Sequence, residues 1–233
     1  MYRHFVLSVM LFSVSSLARA DVIFLFSMNT SSISGTAGSL DFQFNPGPLV
    51  SQATSLEILN VTTTGAFAGA PFLSGDVSGG PLPMVVTLDN LTPFNDYFQG
   101  FTFGSSLVFD IRFFGPAVNT PDGTSSSGST FAFSMFSDAA GTMPTLTTDL
   151  TDGFAALANI NLDGDISVTN FSIATTVTPV SVVPEPGSLA LIATALALLV
   201  ALWRRDRTTL TAEAPTVTKR TASSGRHMAS FPS

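Results

Sequence analysis

The chain has 233 residues, 45% hydrophobic and only 11% charged, with 16 acids against 9 bases and a formal charge of −7. Such a chain lacks the basic surface that nucleic-acid binding needs, and it is too apolar for charge-driven disorder. It has no cysteine, which excludes disulfides, thiol nucleophiles and Cys-ligated zinc.

Residues 1–20 read as a secretory signal. Arg3 and His4 open it, and Phe5 to Leu17 is an apolar run of 13 residues that includes four serines. That run is shorter than the about 20 residues an ordinary spanning helix needs. Ala18 and Ala20 place small residues at the two positions a signal peptidase reads, so cleavage is expected after Ala20.

Residues 21–178 read as one exported domain. It holds thirteen acids, namely Glu57 and twelve aspartates, against a single base, Arg112, and has neither lysine nor histidine. Eighteen phenylalanines lie here, with one tyrosine, Tyr97, and no tryptophan. The hydrophobic period is two. Leu40, Phe42 and Phe44 alternate with polar residues and end at an Asn45-Pro46-Gly47 turn. Leu56 and Ile58 mark a second strand, and Met84 to Leu88 a third. In Ser106 to Phe114, Leu107, Phe109, Ile111 and Phe113 alternate with Asp110 and Arg112. Phe131, Phe133 and Met135 share one face of Thr130–Phe136, and Ile166 to Val177 supplies more strand. Ala155 to Ile160 offers the domain's one helical turn, and Gly115 to Gly128 reads as a long exposed loop. Turn residues recur every 8 to 15 positions, the spacing of a sandwich or barrel. The expected fold is all-β: one antiparallel β-sandwich, jelly-roll-like, with an N-terminal signal helix and one C-terminal transmembrane helix.

Candidate chemistry in this domain is sparse. Without histidine or cysteine, Ser-His-Asp catalysis and histidine-ligated metals are unavailable. Carboxylates alone remain, as in glycoside hydrolysis. Glu57 with Asp41, Asp96 or Asp110 are the candidates, but their spacing singles out no pair, and the aspartates read as exposed loop residues. Asn159, Asn161, Asp163 and Asp165, followed by Ile166, have the alternating oxygen donors of a calcium loop, but Asn170 stands where such a loop needs a bidentate acid. A hairpin turning at Asp163-Gly164, with Ile160 and Leu162 facing inward, fits the pattern better. No cofactor is expected. Asn29, Asn60, Asn90 and Asn170 begin Asn-X-Ser/Thr triplets, as the Asn/Ser/Thr-rich composition makes common.

The C-terminal part is organised for a membrane. Residues 179–188 form a linker containing Pro184-Glu185-Pro186, whose prolines hold an extended backbone. Leu189 to Trp203 is 15 residues long and uncharged, and reads as a short transmembrane helix. Arg204, Arg205 and Arg207 follow as a membrane stop that keeps this end in the cytoplasm. Residues 204–233 read as a basic, disordered cytoplasmic tail.

Pro-Glu-Pro, a short apolar helix and an arginine cluster, in that order, resemble the PEP-CTERM sorting signal of Gram-negative-type bacteria. The resemblance implies recognition of Pro184, Glu185 and Pro186 by exosortase, a membrane-embedded transpeptidase-like enzyme. It also implies release or transfer of the exported part, often in strains that make extracellular polysaccharide. The stretch Thr208 to Ser233 departs from that pattern, since family tails stop a few residues after the arginines. The middle of the chain is similar to a group of PEP-CTERM proteins with motifs like Leu40-Asp41-Phe42-Gln43-Phe44-Asn45-Pro46-Gly47 and Asn95-Asp96-Tyr97-Phe98-Gln99-Gly100-Phe101, a group to which the resemblance attaches no activity.

The expectation is therefore an exported, non-catalytic surface or matrix protein whose mature form is periplasmic, cell-surface or extracellular. Its expected partners are signal peptidase, exosortase and, at least transiently, the membrane. The alternative is a carbohydrate-binding or calcium-assisted adhesion module with extracellular polysaccharide as partner. Sugar platforms favour Trp or Tyr, and this domain offers only Tyr97.

Overall fold

The computed structural model describes residues 20–180 and the helical pair Ala197–Leu198. The signal segment before Ala20, the Pro-Glu-Pro linker, the rest of the expected membrane helix and the basic tail lie outside the described residues. The chain divides into two compact units at Glu185/Pro186. The first contains the β domain, and of the second only Ala197 and Leu198 are described. No helix among the described residues is long and apolar enough to cross a membrane.

The strands are β1 (Val22–Asn29), β2 (Ala37–Pro46), β3 (Ser55–Thr63), β4 (Ala66–Ser74), β5 (Val77–Gly79), β6 (Val86–Asp89), β7 (Asp96–Thr102), β8 (Ser106–Phe114), β9 (Ser129–Phe136), β10 (Phe154–Ile160), β11 (Ile166–Asn170) and β12 (Thr175–Val180). They form two six-stranded sheets, in the orders β12-β1-β8-β3-β6-β5 and β11-β10-β9-β2-β7-β4. The expected sandwich is thus present, with every ladder antiparallel.

The topology is a wrapped hairpin. β1 pairs with β8, β2 with β7, and β3 with β6. From β1 to β5, consecutive strands alternate between the sheets. That nesting is the jelly-roll order, closed at the β4–β5 connection. β9, β10 and β11 extend one sheet beyond β2, and β12 covers the free edge of β1.

Alternation places the phenylalanines between the sheets. Phe26 of β1 stacks on Phe109 of β8 at 5.2 Å and meets Phe131 of β9 edge-on at 5.6 Å. Phe42 of β2 contacts Phe133 at 5.0 Å and Phe109 at 5.3 Å. Phe109 and Phe133 complete the group at 5.1 Å. These five rings are fully buried and join both sheets at the centre. Edge-on aromatic pairs add about 0.5–1.5 kcal/mol each beyond their burial.

The outer strands are poor templates for further pairing. β5 has three residues, and β12 carries Pro179. β4 carries Pro71, and its register on β7 breaks between Ala68 and Phe72.

Three expectations are corrected. Ala155–Ile160 is part of β10 and not a helical turn: Ala156, Ala158 and Ile160 are buried at period two, between β9 and β11. The helical turn falls inside the expected loop, as α1 (Pro116–Asn119), because Gly115 takes φ 104° and Pro116 then presets the first helical φ. The strand expected from Met84 starts at Val86, leaving Met84 and Val85 exposed.

Candidate functional site

The two quoted motifs of the β domain meet in space. β2 and β7 pair with Leu40 opposite Gln99, Asp41 opposite Phe98, Phe42 opposite Tyr97 and Gln43 opposite Asp96. The backbone N–H of Asn95 donates to Asn45 Oδ1 at 2.8 Å, and Asn95 Nδ2 donates to Phe44 O at 2.8 Å. On the inner face, Tyr97 is fully buried. Its hydroxyl accepts from Leu82 N at 2.9 Å and donates to Gln99 Oε1. The one tyrosine of the domain is therefore no platform for a sugar.

The outer face of the same two strands carries the carboxylate pair that spacing did not single out. Asp41 and Asp96 are diagonal neighbours across β2 and β7, and their carboxyls hydrogen-bond to each other. They are not the exposed loop aspartates expected: each side chain sits in a residue only 8% exposed. Gln43 Nε2 donates to Asp41 Oδ2 at 2.8 Å. Oδ1 of Asp41 and Oδ1 of Asp96 are buried without a donor. Burial, reinforced by the hydrogen bond to Asp41 and its charge, pushes the Asp96 carboxyl up to about 8. The β9–β10 loop closes over the row: a Cβ on Gly141 would stand 2.7 Å from the Phe98 ring.

Glu57 lies on the other sheet. Arg112 Nη1 donates to Glu57 Oε2 at 3.0 Å, while Arg112 Nε and Nη2 donate to Asp21 Oδ2 at 2.9 and 2.6 Å. Asn119 Nδ2 donates to Asp21 Oδ1 at 3.1 Å. The guanidinium also stands 4.9 Å above the Phe114 ring. The hydrogen bond to Asp21 outweighs partial burial and holds the Arg112 guanidinium above its ordinary range. The domain's single base is thus committed to two carboxylates.

Asn159, Asn161, Asp163 and Asp165 lie along a hairpin between β10 and β11. Asn161 N donates to Asp165 O at 2.9 Å, and Gly164 N donates to Asn161 O at 3.0 Å. Gly164 takes φ 82°, a conformation that favours glycine. Asn159 Oδ1 accepts from Thr130 Oγ1 at 2.8 Å. Ile160 is buried as expected, but Leu162 is exposed at the turn. No group of three or more His, Cys, Asp or Glu side chains that could hold a metal ion occurs among the described residues.

Pro184, Glu185 and Pro186, the small residues Ala18 and Ala20, and the stop residues Arg204, Arg205 and Arg207 are sequence features. Of these only Ala20 is among the described residues, just ahead of β1. Comparison with known families decides the C-terminal part. Residues 182–205 match the PEP-CTERM protein-sorting motif. The match takes in Pro184-Glu185-Pro186, the apolar stretch and two of the three arginines. The PEP-CTERM motif implies export, a membrane-associated C-terminus and exosortase as processing partner. No curated protein and no solved structure matches the chain.

Proposed function

We propose that this protein is a non-catalytic component of the cell surface or extracellular matrix, delivered and processed through its PEP-CTERM tail. The observation that carries this reading is the motif match at residues 182–205, which follows the β-sandwich in the chain. The sandwich supports the non-catalytic part. The carboxyls of Asp41 and Asp96 are in hydrogen-bond contact. Retaining glycosidases hold theirs about 5 Å apart and inverting ones farther still. Glu57 is bound to Arg112 on the opposite sheet.

The test is the mass and location of the mature protein in its native host, for the wild type and for Glu185→Ala. The expected wild-type product starts at Asp21, ends near Pro184 and is found outside the inner membrane. The expected Glu185→Ala product keeps its C-terminal segment and stays in the membrane. If both keep the segment, the sorting reading fails, and the protein is a membrane-anchored exported β domain.

A further inference from the structure

We propose that Asp41 and Asp96 form a cation site on the outer face of the second sheet, selective for a hard divalent ion of the calcium class. Three observations lead to it. The two carboxyls touch, each is about nine-tenths buried, and each has one oxygen, Oδ1, with no donor. A buried acceptor left unmet is costly, so the pair calls for a further partner. No protein counter-charge is at hand. Residues 21–178 contain no lysine or histidine, and Arg112 is committed to Asp21 and Glu57 on the other sheet. A carboxyl pair in this setting is neutralised either by a proton or by a cation from solution.

The neighbouring side chains are oxygen donors too. Gln43 already bonds Asp41, and rotating its amide by half a turn would offer Oε1 in place of Nε2. Ser134, 2% exposed, stands opposite Asp41 in the β2–β9 register. Two carboxylates, an amide and a hydroxyl, with water completing the shell, suit the flexible all-oxygen coordination of calcium better than the strict octahedron of magnesium. The absence of nitrogen and sulfur donors disfavours zinc and copper.

The ion must displace the proton that the pair otherwise holds. Below the titration of the pair, binding therefore releases about one proton per ion, and it strengthens as pH rises towards that point. On the six strands of this sheet, the only other titratable group is Tyr97, which faces inward. Asp76 and Asp138 border the sheet on loops, and Asp138 accepts from Thr142 N and Met143 N.

The experiment is thermal unfolding of the intact chain in mild detergent, with calcium, magnesium or neither, at a pH below and a pH above the titration of the pair. Calcium at about one hundred times its dissociation constant is expected to raise the wild-type Tm by roughly 5 °C at the higher pH and by less at the lower. At the lower pH, calorimetry in two buffers of different ionisation heat should count about one proton released per ion. Asp96→Asn mimics the neutral carboxyl and so keeps the fold; it should lose the calcium response. Asp163→Asn with Asp165→Asn should keep it. The proposal is overturned if wild type shows no calcium shift, if the shift survives Asp96→Asn, or if it follows Asp163 and Asp165. None of these outcomes bears on the fate of the tail, so this test stands apart from that of the sorting reading.

Discussion

At the scale of single residues, Asp96 and Arg112 make opposite arguments. In the unfolded chain the Asp96 carboxyl titrates near about 3.9, but in the folded chain at about 8. Between those values the folded state holds the extra proton. This group therefore contributes stability that is full below pH about 4 and is lost as pH rises through about 8. Asp96→Asn should remove that slope. In chelator-treated samples, its Tm is expected to change less than the wild-type Tm across neutral pH and to exceed it above pH about 8. An unchanged wild-type slope in the variant would remove Asp96 as its source. Arg112 is different because its side chain is 38% exposed and its ion pairs are screened by water. Arg112→Met should cost only about 1 kcal/mol in urea unfolding, less at high salt. Arg112→Lys should recover little of it, since a lysine cannot fork to Asp21 while also reaching Glu57.

At the scale of elements, the Phe cluster dominates. Phe109 meets Phe26, Phe42 and Phe133, so it ties β8 to β1 in its own sheet and to β2 and β9 in the other. Phe109→Ala should cost about 4 kcal/mol, lowering Tm by roughly 10 °C, as read by calorimetry on the purified chain. A loss under about 1 kcal/mol would mean that the rings are not one packed unit. These same strands were the legible ones. β8 has one buried face, while β2 and β9 put Leu40, Phe42, Phe44, Phe131, Phe133 and Met135 on the inner face and Ser39, Asp41, Gln43, Thr130, Ala132 and Ser134 on the other, so all three alternate in sequence. β4 has no fully buried residue and was not legible. Ala155–Ile160 misled because alanines inside a strand look helical until flanking strands are known. The Asp41–Asp96 contact was illegible for a stronger reason. The residues are 55 positions apart, and their meeting depends on the β2–β7 register, which no local pattern encodes. By contrast, Asp122, Asp138 and Asp149 behave as loop aspartates should, each accepting N–H groups from residues just ahead.

At the scale of the whole molecule, the described strands and the sorting motif occupy successive stretches of the chain. β1 cannot be covered until β12 arrives, and β12 ends at Val180. The tail match begins at residue 182. The described strands therefore end just before the sorting segment starts, and removing that segment takes away none of them. A chain ended after residue 182 should unfold at the same temperature as the full chain in the same detergent and pH. A chain ended after Phe171 should not, because the whole backbone edge of β1 from Ile23 to Met28 then loses its partners. That shorter chain should aggregate on heating and lose several degrees of Tm. The nested pairing of β1 with β8 and β2 with β7 also joins residues far apart in sequence, so refolding should be slow, in milliseconds to seconds. If the chain ended after residue 182 were itself destabilised, the sorting segment would be part of the folded domain, and cleavage near Pro184 would release a weakened sandwich. Equal stability of the two forms would mean that the described strands need nothing beyond residue 182 to fold.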